Sequence, residues 1–289
     1  MAYPYIIQSH INNIISHNKT QGKHGHYSMS SQRPHASIKQ LLTDENFTCD
    51  SDLIREALLA SVETLLHSHE TLEIKLDAVL LLVCIILKYP GSFQTSRDIY
   101  ESLYENRDEI ENNGISMSFS NLEFLPLKIS LEFLYLTMGK DTYKSILELM
   151  PYLQDNKTNV TYMTDFLVEY LALSNPVKLP DKVAAILLQN VLQWMKLDLK
   201  IRTNSVYILM GLLRNTENQG IICNQIVKLI DSDCPHMKTR ILRCIFNEKG
   251  VAEDTLKYVV SKCLCDSNFL VRKVCQEMID AHHYSVLSE

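Results

Sequence analysis

Histidines and cysteines are the residues here with the plainest chemical potential, since both ligate metals and both serve as bases or nucleophiles when they converge. Five of the ten histidines, His10, His17, His24, His26 and His35, fall in the first 45 residues, at irregular intervals that match no ligand set. Cys263-Leu-Cys265 has neither a second pair nor a spaced histidine to complete a zinc site, and on a helix its two thiols point to different faces. His67 with His69 and His282 with His283 are too close along the chain to converge on one ion. Glu109 and Glu111 sit in a polar stretch, where no burial raises a carboxyl pKa for acid–base work. The sequence holds no Gly-rich phosphate loop, no G-x-S-x-G and no H-E-x-x-H. The expectation is therefore a non-enzyme, with no catalytic, cofactor-binding or metal-binding residues.

Recurring bases carry a different chemistry, charge-assisted hydrogen bonding to a carboxylate, phosphate or carbonyl. Each follows an apolar residue and leads into small or apolar residues at helical spacing. Val271-Arg272 leads into Cys275, Met278 and Ile279, and Met237-Lys238 into Ile241, Cys244 and Ile245. Ile201-Arg202 leads into Ser205, Ile208, Leu209 and Leu212. Further back come Ile74-Lys75 and Leu127-Lys128. The three C-terminal bases are 36 and 34 residues apart, and a fixed period of that size marks stacked helical hairpins.

Composition agrees with helices. Apolar residues form 46% of the 289, enough for a continuous core, and eight Gly with eight Pro leave few interruptions. The net charge of −6 is uneven: residues 1–195 carry 15 Lys+Arg against 23 Asp+Glu, and residues 196–289 carry 13 against 11. That is no footprint of a dedicated nucleic-acid binder, although a local basic ridge is compatible with it. The longest apolar run, Ala78–Leu87, is about half the length of a membrane span and reads as a buried helix. Met1-Ala-Tyr-Pro-Tyr lacks the basic start of a secretory signal. Six of the eight cysteines lie at helical positions of the C-terminal third, where free thiols behave as small hydrophobes. An intracellular protein, cytoplasmic or nuclear, is expected, without membrane contact.

The elements that position these residues can be read in order. Residues 1–45 form a polar His/Ser/Asn-rich tail, expected to be disordered apart from a short apolar patch at Tyr5–Ile15. A helical domain then covers 46–289. Its helices are expected from Asp50 through Leu65, with Asp50, Ser51 or Asp52 as cap, and over Glu70–Leu87, residues 97–106, Leu122–Met138, Thr142–Leu153 and Asn159–Leu173. Asp181 is expected to cap a helix with Val183, Leu187, Val191 and Trp194 on one face. Leu199–Arg214, Ile221–Ile230, Pro235–Phe246, Ala252–Leu264 and Asn268–Ala281 complete twelve helices in six hairpins.

Asp266-Ser-Asn-Phe-Leu-Val-Arg272 resembles the HEAT repeat, whose second helix opens with an Asp and places a Val-Arg pair six residues on. Ile201–Leu212 is similar in its apolar part, though its Asp198 lies only four residues before Arg202. Met163-Thr164-Asp165 departs from the apolar–basic pattern altogether. The resemblance spans residues 50–289 and implies an all-α, right-handed ARM/HEAT-like α-solenoid of about six helical hairpins. It implies a ladder role for Lys75, Lys128, Arg202, Lys238 and Arg272, each bonding to a neighbouring repeat. It further implies a scaffold or adaptor, a subunit of a larger complex that binds an extended or helical segment of a partner protein on its concave side. Candidate partner-binding residues on the second helices are Lys128, Glu132, Arg202, Asn204, Tyr207, Lys238, Arg272, Lys273 and Gln276. The alternative is a nucleic-acid- or chromatin-associated solenoid using the C-terminal basic positions.

Overall fold

A computed structural model describes residues 51–66, 71–89, 125–140, 143–173, 179–215, 219–232, 234–248 and 251–282. Within them the protein is all-α, with eleven α-helices, one 3-10 segment and no strand. None of these helices is long and apolar enough to cross a membrane. The chain forms two compact units, Met1–Asn175 and Pro176–Glu289. The tail at 1–45, the helix expected over 97–106 and the residues His67, His69, Glu109, Glu111 and His283 lie outside the described residues.

The N-terminal unit contains α1 (Ser51–Leu66), α2 (Leu72–Lys88), α3 (Leu125–Thr137), α4 (Tyr143–Leu149) and α5 (Lys157–Leu173). Helix α1 packs on α2, α2 on α3, and both α2 and α3 on α5. Eleven residues of α2 are buried, from Lys75 and Leu76 through Ile86, so it is enclosed on nearly every side. That is what an apolar run without a polar stripe requires. Its start is set by Thr71, the N-cap, whose hydroxyl faces the Ile74 amide; Glu70, the expected start, lies outside the described residues. Helix α3 ends at Gly139, the glycine with positive φ at 78°. There Lys140 N–H bonds the Tyr135 carbonyl and Gly139 N–H the Leu136 carbonyl, a Schellman ending that favours glycine.

The helix expected over Thr142–Leu153 divides in two. Pro151 offers no N–H and crowds the preceding turn, so α4 stops at Leu149 and Met150–Asp155 winds as a 3-10 segment. Asn156 then opens α5, its side-chain carbonyl accepting from the Thr158 and Asn159 amides. The unit's aromatic core lies between α3 and α5. Phe133 sits 4.9 Å from Tyr170 and 6.0 Å from Phe166, centroid to centroid, with Phe166 and Tyr170 stacked at 5.8 Å.

Tyr170 is 1% exposed, and its hydroxyl lies 3.2 Å from the Thr137 hydroxyl. Burial pushes its pKa up to about 12, against which the Thr137 hydrogen bond pulls more weakly. A pKa raised on folding gives stability that is full below the unfolded value near 10 and lost as pH climbs towards the folded one. Stability is thus expected to fall by roughly 2–3 kcal/mol between about pH 10 and pH 12 through this residue alone. Tyr170→Phe should cost about 1 kcal/mol at neutral pH and lose that share of the alkaline decline, as urea titrations across pH would measure.

The C-terminal unit contains α6 (Asp181–Trp194), α7 (Leu199–Asn215), α8 (Gln219–Ser232), α9 (Pro235–Ile245), α10 (Glu253–Leu264) and α11 (Phe269–Ala281). Its antiparallel neighbours follow from short connections: α6 packs on α7, α8 on α9, and α10 on α11. Helices one hairpin apart also pack, α7 on α9, α9 on α11 and α8 on α10. Val183, Leu187, Val191 and Trp194 form the buried stripe of α6 as their spacing predicts. Asp181 is not its cap. Pro180 takes that position with extended ψ, and Asp181 becomes the acidic first residue beside the helix's positive end. Asp198, by contrast, caps α7 by accepting the Ile201 amide at 3.0 Å.

Several helices carry a fully buried serine. Ser61 in α1, Ser130 in α3 and Ser205 in α7 each donate to a carbonyl three or four residues earlier in the same helix, all at 2.8 Å. The hydroxyl cost of burial is met locally, without a partner across the interface.

Candidate functional site

The recurring bases take different fates. Lys75 is only 1% exposed and belongs to the core of the N-terminal unit. Lys128 is half-buried on α3. Glu132, expected on an exposed face, is 4% exposed because α3 is flanked by helices on both sides and has no solvent stripe. Arg202 and Asn204 are half-buried on α7. In the C-terminal unit two groups of side chains converge.

The first is centred on Asp266, in the turn between α10 and α11. Lys238 Nζ, from the start of α9, donates to Asp266 Oδ2 at 2.8 Å, with both side chains largely buried. Asp266 Oδ1 accepts the Asn268 amide at 2.8 Å. Arg272 donates from one guanidinium nitrogen to the Asp266 carbonyl at 2.6 Å and the Ser267 carbonyl at 2.9 Å. Lys238 and Arg272 are thus committed to holding one hairpin against the next and shaping the turn. The Lys238 hydrogen bond, then the Asn268 amide, lower the Asp266 carboxyl below its usual range. A depressed folded pKa gives stability that is full above the unfolded value and lost as pH falls through the folded one. Asp266→Asn should cost about 2 kcal/mol at neutral pH, and the difference from wild type should vanish on acidification below about pH 4. Lys238→Met, which removes the cation and keeps its stem, is expected to cost at least as much, because it leaves the largely buried Asp266 carboxylate without its cation. Thermal melts at two pH values check both.

The second group lies on the exposed side of α7 and α9. Arg240 donates to the Tyr207 hydroxyl at 2.6 Å, and its guanidinium carbon is 5.6 Å from the Tyr207 ring centre. Tyr207 is 36% exposed. The contact fixes a planar five-donor cation beside an aromatic surface, an arrangement that recognises carboxylates or phosphates bidentately and packs on apolar groups. Arg243, one turn along α9, is exposed as well. Sequence reasoning missed Arg240. Its signal was present: it follows Tyr207 by 33 residues, close to the 34–36 of the repeat.

Other inter-hairpin contacts flank these groups. Tyr258 on α10 donates to the Asp231 carboxylate on α8 at 2.9 Å, with Lys262 Nζ 3.8 Å away. Arg214 Nε lies 3.3 Å from Glu248, whose pKa burial raises against the pull of that guanidinium. The remaining predicted residues are on α11. Lys273 is exposed 3.8 Å from Glu277, and Gln276 donates to Asp280 at 2.8 Å, both local pairs.

Cys263 is buried and Cys265 exposed, so the two thiols face apart. Burial pushes the Cys263 thiol up to about 12, and Cys244 and Cys275 to about 11, which leaves them protonated and unreactive at neutral pH. No family model, curated protein or solved structure matches this chain.

Proposed function

We propose that this protein is a non-enzymatic scaffold or adaptor of the ARM/HEAT-like kind, built of stacked helical hairpins and acting as a subunit of a larger complex. The exposed face of its second helices takes a segment of a partner protein. The observation that carries this reading is the Tyr207–Arg240 contact. It joins the second helices of successive hairpins and leaves an aromatic ring and a guanidinium, two favoured interface anchors, at the surface. The Lys238–Asp266 and Tyr258–Asp231 bonds add support, because each links corresponding parts of successive hairpins as a repeat ladder would.

The test is recovery of partners from cell extract on the full chain at low and high salt, beside a Tyr207→Ala/Arg240→Glu variant. A protein retained at high salt, resistant to nuclease and lost with the variant is the expected result. Recovery of nucleic acid that disappears steeply with salt would replace the scaffold reading with the nucleic-acid-associated one.

A further inference from the structure

Helix α6 carries more apolar surface than its own hairpin uses. Val183, Leu187, Val191 and Trp194 fill the core. A second stripe, Ala184, Ala185, Leu188 and Leu192, runs beside it at the same helical spacing and lines a groove of about 260 Å³. Ile221 and Ile222 at the start of α8 form the opposite lip, and Ile221 is 52% exposed. The other two described lining residues are Gln189 and Asp181, so Asp181 is the one ionisable group among the described residues of the groove, set at its α6 N-terminal end.

We propose that this groove is a docking site for an amphipathic helix of a partner protein, apolar along one face and bearing a lysine or arginine where it passes Asp181. It is a surface separate from the Tyr207–Arg240 face. The walls are helix side chains and present no free backbone edge, so an extended strand would gain no ladder hydrogen bonds there. A helix satisfies its own backbone and needs only apolar knobs, which is how amphipathic helices occupy such grooves. Ala184 and Ala185 let its axis approach closely. Asp181 lies about two turns from Leu188 and three from Leu192 along α6. The matching helix therefore places its base about two and three turns from two leucine-sized side chains. The Asp181 carboxylate sets the sign of the partner's charge and its polarity in the groove.

The probe is a fluorescent helical peptide with one lysine and two leucines at that spacing, with Ile-, Met- and Phe-substituted siblings and a twin carrying glutamate for lysine. Binding to the full chain is read by anisotropy. Saturable binding of at least one lysine peptide is expected, with the glutamate twin about tenfold weaker. Asp181→Lys should reverse that preference. Ala185→Asp, at an exposed position, should abolish binding by every sibling while leaving the thermal melt unchanged. Equal binding of lysine and glutamate peptides, indifference to Ala185→Asp, or no binding by any sibling would overturn the proposal. Self-association in sedimentation that Ala185→Asp removes would overturn it too, because the occupant would then be a second copy of the chain.

Discussion

Trp194→Ala is expected to destabilise the C-terminal unit by about 3–5 kcal/mol, the range for removing a large aromatic from a core that relaxes only partly. Trp194 is the sole tryptophan and is 1% exposed at the last position of α6. It closes the stripe begun by Val183, Leu187 and Val191. Truncation removes both the transferred area and the dispersion contacts of the cavity walls, which cannot collapse around rigid helices. The indole N–H has no hydrogen-bond partner among the described residues, so part of the residue's burial works against stability. Trp194→Phe should therefore cost about 1–2 kcal/mol, much less than alanine, because the smaller cavity is offset by losing that unsatisfied donor. Urea unfolding followed by circular dichroism measures both variants, since fluorescence is lost with the residue. An alanine cost no larger than the phenylalanine cost would show that the indole is not a core element.

Phe133→Ala should have an effect of the same order, about 3–5 kcal/mol, in the N-terminal unit. Phe133 is fully buried on α3 and packs against Phe166 and Tyr170 of α5. Part of its contribution is geometric, because tilted rings at these distances attract beyond their area by about 0.5–1.5 kcal/mol. A double-mutant cycle of Phe133→Leu with Tyr170→Leu isolates that share. A coupling near zero would mean that the rings fill space and nothing more. Hydrogen exchange should show α3 and α5 losing protection together in Phe133→Ala, since the cluster packs the two helices against each other.

Helix identity was legible wherever an apolar stripe was uninterrupted. Val183, Leu187, Val191 and Trp194 gave α6 its buried face, and the run from Ala78 gave α2 its enclosure. Ends were less legible, since competing local bonds decide them. Pro180 displaces Asp181 from the cap of α6, and Pro151 turns the end of one helix into a 3-10 segment. The site was legible only in part. Tyr207 could be picked out as an exposed aromatic, but its partner Arg240 depends on the register between hairpins, which no local pattern encodes. Glu132 was misplaced on an exposed face for the same reason. A single carboxylate on an apolar helix looks solvated until the neighbouring helices are in place.

The buried serines give the units a mechanical character. Ser61, Ser130 and Ser205 spend their hydrogen bonds inside their own helices, so these bonds stay closed when a helix rotates or slides slightly on its neighbour. Resistance to such shear at these positions comes from side-chain interdigitation, which yields gradually over small displacements, rather than from directional bonds that snap. Small sliding of packed helices is a recognised route by which proteins close around ligands. Within each unit the helices are thus joined more like leaves of a spring than bricks in mortar, and a load on them is taken up by many small adjustments instead of one large one.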